Sequence, residues 1–360
     1  MKRPFWALVC DQWSTLPPVE TTDLSGKTVV VVGANVGIGF EAAKHFARMK
    51  PARLILACRS ESKGKAAVTE IQEQCGSNAC ELWLLDLADF SSVTSFADKF
   101  LRESDRLDIL VMNAGMATGK YETTTNGWER TYGMILERSL PPLIVSSRIQ
   151  VNHLATALLS LLLLPRLVET GKKTGIHSRL VIVASDVHYW AVLKDDVKHS
   201  QTPLAKLSNK EYCTPKIMAV RYFDSKVLNV LFVRALQDHI PSVVPLTVNA
   251  VNPGFCYSQL RREMYASFWR NLFMSLMEKA LAWTPEQGSR QLIYAAIAER
   301  DNEDHMKGAF VSKAEVAEPS DFVISDEGKM MQDKIWSETI DILTKEVPQL
   351  KSSLQEYLAV

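Results

Sequence analysis

Lys27-Thr28-Val29-Val30-Val31-Val32-Gly33-Ala34-Asn35-Val36-Gly37-Ile38-Gly39 decides how this chain folds. Its first half, through Gly33, is a short unbroken β-branched run. That is the pattern of a central parallel strand covered on both faces. Its second half spaces three glycines over a turn that opens a helix, read from Phe40 to Met49. Gly33 allows the tight turn, and Gly37 and Gly39 let backbone and helix come close to an anionic diphosphate at the helix N-terminus.

Outward from this stretch the rhythm continues. Arg53–Cys58 reads as a strand, Lys63–Gln74 as a helix, Glu81–Asp86 as a strand, Phe90–Arg102 as a helix and Leu107–Met112 as a strand. Arg179–Ala184 and Leu246–Val251 extend the series, and Leu154–Pro165 reads as a buried helix. The last third is helical, with one more strand near Gly308–Ser312. Thr284-Pro285-Glu286-Gln287 carries a helix start, with Thr284 as cap and Gln287 closing a capping box. Apolar strands alternating with helices imply right-handed crossovers. The expectation is an α/β protein with a single Rossmann-type doubly wound parallel sheet of about seven strands and flanking helices. No linker divides it: an N-terminal arm spans 1–23, a dinucleotide-binding domain 24–317 and a C-terminal helical segment 318–360.

The totals exclude several classes. The chain has 360 residues, 47% of them hydrophobic, enough for a large core. Its 41 basic and 41 acidic residues balance, so nothing points to nucleic acid. The six cysteines (Cys10, Cys58, Cys75, Cys80, Cys213, Cys256) form no CxxC and no metal-ligand spacing, and read as reduced, mostly buried thiols. The apolar start after Lys2-Arg3 is too short to span a membrane and lacks a cleavage site, which reads as a cytoplasmic protein. Phe5, Trp6 and Trp13 leave two readings open, a packed or disordered arm or a peripheral membrane contact.

A glycine turn alone is weak evidence, since methyltransferases use a similar one. The end of the second strand decides more. A site for NAD usually places Asp or Glu about twenty residues after the glycines, on the ribose 2′-hydroxyl. Arg59 stands there instead, suited to a 2′-phosphate, so the expected cofactor is NADP(H). The plain alternative is a solvated arginine on a loop. Asp86-Leu87 ends the third strand, where a carboxylate meets an adenine ring. Asn113-Ala114-Gly115 ends the fourth, where small residues let the backbone reach the nicotinamide ribose.

Tyr222 and Lys226 are four residues apart, on one face of a helix. Unit charges about 5 Å apart at an effective dielectric of about 20 interact by roughly 3 kcal/mol. The ammonium thus brings the phenol down by about two pKa units, into the range of an acid/base. A second such pair, Tyr212 and Lys216, has Pro215 inside it, which argues against a continuous helix face.

With these motifs in order, the chain resembles the short-chain dehydrogenase/reductases, most closely the retinol-dehydrogenase-like branch, over roughly Leu24 to Ala317. The resemblance implies that Ser185 polarises a substrate carbonyl and that Tyr222 is the acid/base. It implies that Lys226 binds the ribose and tunes Tyr222, and that Asn152 holds a water in the proton relay. It also implies that Asn252, Pro253, Gly254 and Ser258 lie over the nicotinamide carboxamide, and that the helix of Asn152 forms a homodimer contact. The chain departs from the family in four places. Val32 replaces a threonine, and Ser258 replaces a threonine but keeps the hydroxyl. About seventeen extra residues, near Met134–Gln150, separate Trp128 from Asn152; a translated intron is the expectation and a genuine loop the alternative. Trp190–Met218 reads as an insert at the pocket rim.

The functional expectation is an NADP(H)-dependent oxidoreductase interconverting a carbonyl and an alcohol on a lipophilic small molecule. Met264–Trp283, rich in Phe, Trp, Leu and Met, would be a greasy lid, or an amphipathic helix packed on the core. The rival reading is a cofactor-binding pseudoenzyme or redox sensor without turnover.

Overall fold

The computed structural model describes residues 3–115, 149–257 and 268–358. Ser258, and the extra segment up to residue 148, lie outside the described residues. The strands are β1 (Thr28–Val32), β2 (Arg53–Cys58), β3 (Cys80–Leu84), β4 (Ile109–Met112), β5 (Ser178–Val183), β6 (Leu246–Asn252), β7 (Phe310–Ser312) and β8 (Glu315–Ala317). They form one sheet in the order β3-β2-β1-β4-β5-β6-β7-β8. Every pair is parallel except β7 with β8, which is antiparallel.

The sheet therefore has eight strands, where the sequence suggested about seven. The extra one is a three-residue edge strand, too short to show a period. Its hairpin turn is Lys313-Ala314, both left-handed at φ 57° and 55°. Such turns normally announce themselves with Asn or Gly, and this one does not. Gln291 Oε1 supports it by accepting the Ala314 N–H at 2.6 Å.

The run of valines in β1 explains the layering. Val30 and Val32 enter one apolar cluster, Val29 and Val31 another. Successive side chains of a strand point to opposite faces, so a strand between two helical layers must be apolar throughout. Helices α2 (Gly37–Arg48) and α3 (Glu61–Cys75) cover the second cluster, as the burial of Phe46 and Ile71 shows. Helices α4 (Phe90–Glu103) and α5 (Ala155–Thr174) cover the first. Helix α5 with the turn before it, Gln150–Thr174, is long and apolar enough to cross a membrane, yet 89% of its apolar window is buried inside this fold.

The segment read as a pocket-rim insert folds into two short helices, α6 (Asp195–Lys198) and α7 (Pro203–Ser208). It then leads into α8 (Pro215–His239), the long helix carrying Tyr222 and Lys226. Leu193, Val197, Leu204 and Leu207 are buried in the core, so the segment is more than a rim. Four further helices follow: α9 (Phe268–Leu281), α10 (Pro285–Ile297), α11 (Glu303–Met306) and α12 (Asp321–Ile324). The capping box of α10 forms, with Thr284 Oγ1 accepting from Gln287 N at 3.1 Å and Gln287 Oε1 from Thr284 N at 2.9 Å.

The C-terminal segment adds α13 (Asp326–Glu346) and α14 (Leu350–Tyr357). Trp336 of α13 stacks on Phe232 and His239 of α8. Thr339 meets His153 at 3.0 Å. The buried Glu338 carboxylate accepts the N–H groups of Leu204 (2.7 Å) and Ala205 (2.9 Å) at the start of α7. Its pKa is raised by burial, and these two bonds oppose that rise. Glu338→Ala would leave both donors without their acceptor. Its cost should be about 1–3 kcal/mol per buried donor left unsatisfied, read as a lower urea midpoint with an unchanged slope.

Candidate active site

Parallel pairing aligns the strand ends. Val32 pairs with Ala57 and Met112, Cys58 with Leu84, Met112 with Ile182, Val183 with Val251, and Asn252 with Ser312. Residues just beyond these pairs therefore lie along one edge of the sheet. The strand order reverses between β1 and β4, where ligands of doubly wound sheets bind.

At that point Gly33, at φ +78°, packs so closely on Ala114 that an added methyl would come 2.9 Å from its Cα. A methyl on Gly39 would lie 2.4 Å from both Gly33 O and Asn113 Nδ2. The Asn113 amide donates to Val32 O (3.3 Å) and Gly33 O (3.1 Å), locking the turn from behind. Helix α2 begins after Val36 with no side-chain cap and no acidic residue in its first turn. Its first N–H groups thus face a ready anion site. Asn35 and Val36 stand on the turn, and Ile38 packs beside Cys256 and Trp283. The cradle fits a dinucleotide diphosphate.

Arg59 is exposed directly after β2 and makes no ion pair among the described residues. Asp86 shapes its own turn: Oδ1 accepts the Ala88 N–H at 2.9 Å, and its N–H donates to Ser92 Oγ at 2.9 Å. The Leu87 side chain is buried in the core, which leaves only its backbone to meet a ligand.

Four sequence-expected residues converge from three elements. Asn152 lies in a π-type turn, Gln150–Leu154, ahead of α5. One extra residue in a helical turn re-aims its side chain, and such turns often mark functional sites. Asn152 Nδ2 donates to Ser225 Oγ at 3.2 Å, and Ser225 Oγ donates to Tyr222 O at 2.8 Å. Lys226 Nζ sits 5.6 Å from the centroid of the Tyr222 ring and donates to Val183 O at 2.8 Å. Val183 ends β5 just before Ser185. A methyl on Gly115 would lie 3.4 Å from Asn152 Oδ1 and 3.9 Å from Lys226 Nζ, which puts the end of β4 beside both.

Ser185 caps the 3-10 turn Asp186–Trp190. Its carbonyl accepts from His188 Nδ1 at 2.8 Å, and His188 Nε2 accepts the Ser320 N–H at 3.1 Å. Those partners fix the His188 tautomer, and burial lowers its pKa to about 4, so the imidazole is neutral. Gly254, at φ +79°, follows β6 next to Pro253. Asn252 Oδ1 joins the two loops by accepting the N–H groups of Asp186 (3.1 Å) and Gly254 (3.1 Å).

Sequence reasoning missed two polar supports, Ser225 and Asn229, and gave Asn252 a place in the carboxamide segment but not its bridging bonds. Ser225 links Asn152 to the Tyr222 turn, Asn229 shares the Val183 carbonyl with Lys226 (3.2 Å), and Asn252 bridges the loops. Ser225 and Asn229 sit in or just after the YxxxK run, and Asn252 precedes Pro253-Gly254. Their position was the only available signal.

Residues 27–189 match the profile of the short chain dehydrogenases. A short chain dehydrogenase/reductase of Cryptosporiopsis sp. (strain 8999) is 35% identical over 340 residues, covering 93% of this chain and 96% of the relative. A short chain dehydrogenase of Alternaria solani is 37% identical over 297 residues, covering 82% and 92%. The chain belongs to the short-chain dehydrogenase/reductase family, and it is an oxidoreductase of that family. In fold it is similar to the L-sorbose reductase of Gluconobacter frateurii, solved with NADPH and L-sorbose, at a TM-score of 0.54 and 19% identity over 81% of this chain and 96% of that one. It is likewise similar to the actinorhodin polyketide ketoreductase solved with NADPH, at a TM-score of 0.54 and 18% identity over 81% and 96%.

Burial lowers the Lys226 pKa to about 8, from an ordinary value of 10.5. The folded state binds this proton less tightly than the unfolded chain. The penalty is therefore complete below about pH 8 and is relieved as pH rises towards 10.5. It amounts to a few kcal/mol at neutral pH, at about 1.4 kcal/mol per pKa unit. Lys226→Met should melt higher than the parent at pH 7, and the gap should shrink by pH 10. A constant gap would show that packing, not the ammonium, sets the difference.

Proposed function

We propose that this protein is an NADP(H)-dependent oxidoreductase of the retinol-dehydrogenase-like branch. It interconverts a carbonyl and an alcohol on a lipophilic small molecule. The observation carrying this reading is the meeting of Gly115, Asn152, Lys226 and the end of the Ser185 strand beside the glycine cradle.

Bound in the cradle, the dinucleotide supplies the hydride and this chain supplies its placement and the proton. Gly33, Asn35, Val36, Gly37, Ile38 and Gly39 form the diphosphate turn, and Arg59 meets the 2′-phosphate. Asp86 and the Leu87 backbone border the adenine, Asn113, Ala114 and Gly115 the ribose, and Pro253 and Gly254 the carboxamide. Ser185 holds the substrate oxygen while Tyr222 gives or takes the proton there. Lys226 keeps a positive charge near the phenol, which favours phenolate. Asn152 anchors the water that refills the proton. For lipophilic substrates the support is an aromatic pair flanking the site: Trp190, shortly after Ser185, and Phe223, next to Tyr222, have centroids 6.5 Å apart.

Two further expectations stand as proposals. Exposed Trp6 and Trp13 support peripheral membrane contact through the N-terminal arm of a cytoplasmic protein. A homodimer would have to leave room for α13 and α14, which cover α8 and α5.

Tyr222→Phe should lower kcat by about 10²–10⁴-fold while NADPH affinity stays within a few-fold. NADPH oxidation with hydrophobic aldehydes and ketones is the assay. Turnover confined to small polar sugars would refute the lipophilic substrate, and NADPH binding without any turnover would favour the pseudoenzyme. Arg59→Ala removes a charge-assisted contact worth about 1.5–3 kcal/mol, so the preference for NADPH over NADH should fall about 10–100-fold. An unchanged preference would return Arg59 to a solvated loop residue.

A further inference from the structure

Helix α1 (Phe5–Gln12) does not trail away from the domain. The Gln12 side chain is buried and holds the backbone of Phe255 as a neighbouring strand would. Its nitrogen donates to Phe255 O (2.8 Å) and Leu281 O (2.9 Å), and its oxygen accepts the Phe255 N–H (3.0 Å). Gln12 O accepts the Trp283 indole N–H at 2.8 Å. Between them the Gly254 turn is tightly enclosed, since a methyl there would come 2.3 Å from the Trp283 ring and 3.0 Å from Gln12 Oε1.

The other end of the segment holds the other loop. The Arg3 guanidinium lies 3.5 Å from Asp186, the residue after Ser185, and 2.7 Å from Asp11. Arg3 O accepts the Trp190 indole N–H at 2.6 Å. Lys313 of the β7–β8 turn reaches Asp11 at 2.8 Å. One short segment therefore grips the Ser185 turn and the Pro253-Gly254 loop together.

We propose that Gln12 and Arg3 are positioning residues, and that α1 is a strap setting the nicotinamide-side loop and the Ser185 turn against Tyr222. This rests on the NADP(H) oxidoreductase reading. The chemical argument is one of tolerance. Both loops leave the sheet just where the ladder ends, and beyond it their backbones are held by Asn252, by the bridge from Cys256 to Trp283 and by the strap. A misplacement of about 1 Å at a reacting centre costs about 10²-fold in rate. The polar contacts of the strap given above reach the Ser185 turn, the Pro253-Gly254 loop and the β7–β8 turn. The strap makes no contact with the adenine side of the cradle around Arg59 and Asp86 among the bonds described above.

The test uses the full chain with Gln12→Met, which keeps the shape and loses the bonds. Gln12→Glu keeps an acceptor for Phe255 N–H but faces two carbonyls. Arg3→Met and Arg3→Lys complete the set. Each variant is titrated with NADPH and with 2′,5′-ADP, which carries the adenine half alone, and its kcat is measured with NADPH and 4-deuterated NADPH. In Gln12→Met, affinity for 2′,5′-ADP should stay within about twofold, NADPH affinity should fall about fivefold, and kcat about 10–100-fold with a larger isotope effect. Arg3→Lys should keep much of the kcat that Arg3→Met loses. Should Gln12→Met fail to fold, Gln12→Glu and the Arg3 pair carry the same comparison. Unchanged kcat, or equal loss of both ligands, overturns the strap as a positioning device. A parent protein that binds 2′,5′-ADP but never oxidises NADPH sinks the functional reading instead, and the inference with it.

Discussion

Contact between Gly33 and Ala114 is the constraint on which the site depends. No side chain fits between them, because a single methyl on Gly33 would press on the Ala114 backbone at 2.9 Å. That closeness lets β1 and β4 stay paired to their last residues while the chain leaves them in opposite directions, to β2 on one side and β5 on the other. The crevice this creates is where helix α2 presents its uncapped N-terminus. Everything else in the site is arranged around that crevice by the parallel register.

Polar support for the groups proposed to react is layered. Lys226 is held by the Val183 carbonyl, Asn152 by Ser225, and the Ser185 turn by Asn252 and His188. Burial charges a cost to this arrangement, visible in Lys226 at about 8 and in Asp186, which burial pushes up to about 6 against the pull of Arg3. Charged groups held this way are poor for stability but good for chemistry, since a buried lysine gives up its solvation and keeps its field.

Much of this was legible locally. The valines of β1, the three glycines, Asn113-Ala114-Gly115 and Tyr222 with Lys226 each carry their meaning within a few residues. The capping box of α10 was readable for the same reason. Less was readable where partners are distant in sequence. Gln12 merely ends, with Asp11, the apolar start of the chain until its partners Phe255 and Leu281 are known. Arg179 sits within an apolar strand sequence, and only the fold shows it fully buried, bonded to Ala298 O at 2.7 Å and paired with Glu303 at 2.7 Å. The β7–β8 turn escaped notice because Lys313-Ala314 lacks the usual turn residues.

By itself the sequence determined the layered α/β plan, the glycine turn and the spacing of phenol and ammonium. These follow from periods of two and 3.6 residues and from the steric freedom of glycine, which act over short stretches of chain. Only the tertiary structure decided that the N-terminal helix closes over the Gly254 loop, that the C-terminal helices cover α8, and that Asn152, Ser225 and Val183 meet. Such contacts join residues far apart in the chain, where no local propensity can choose among partners and packing of the whole core must.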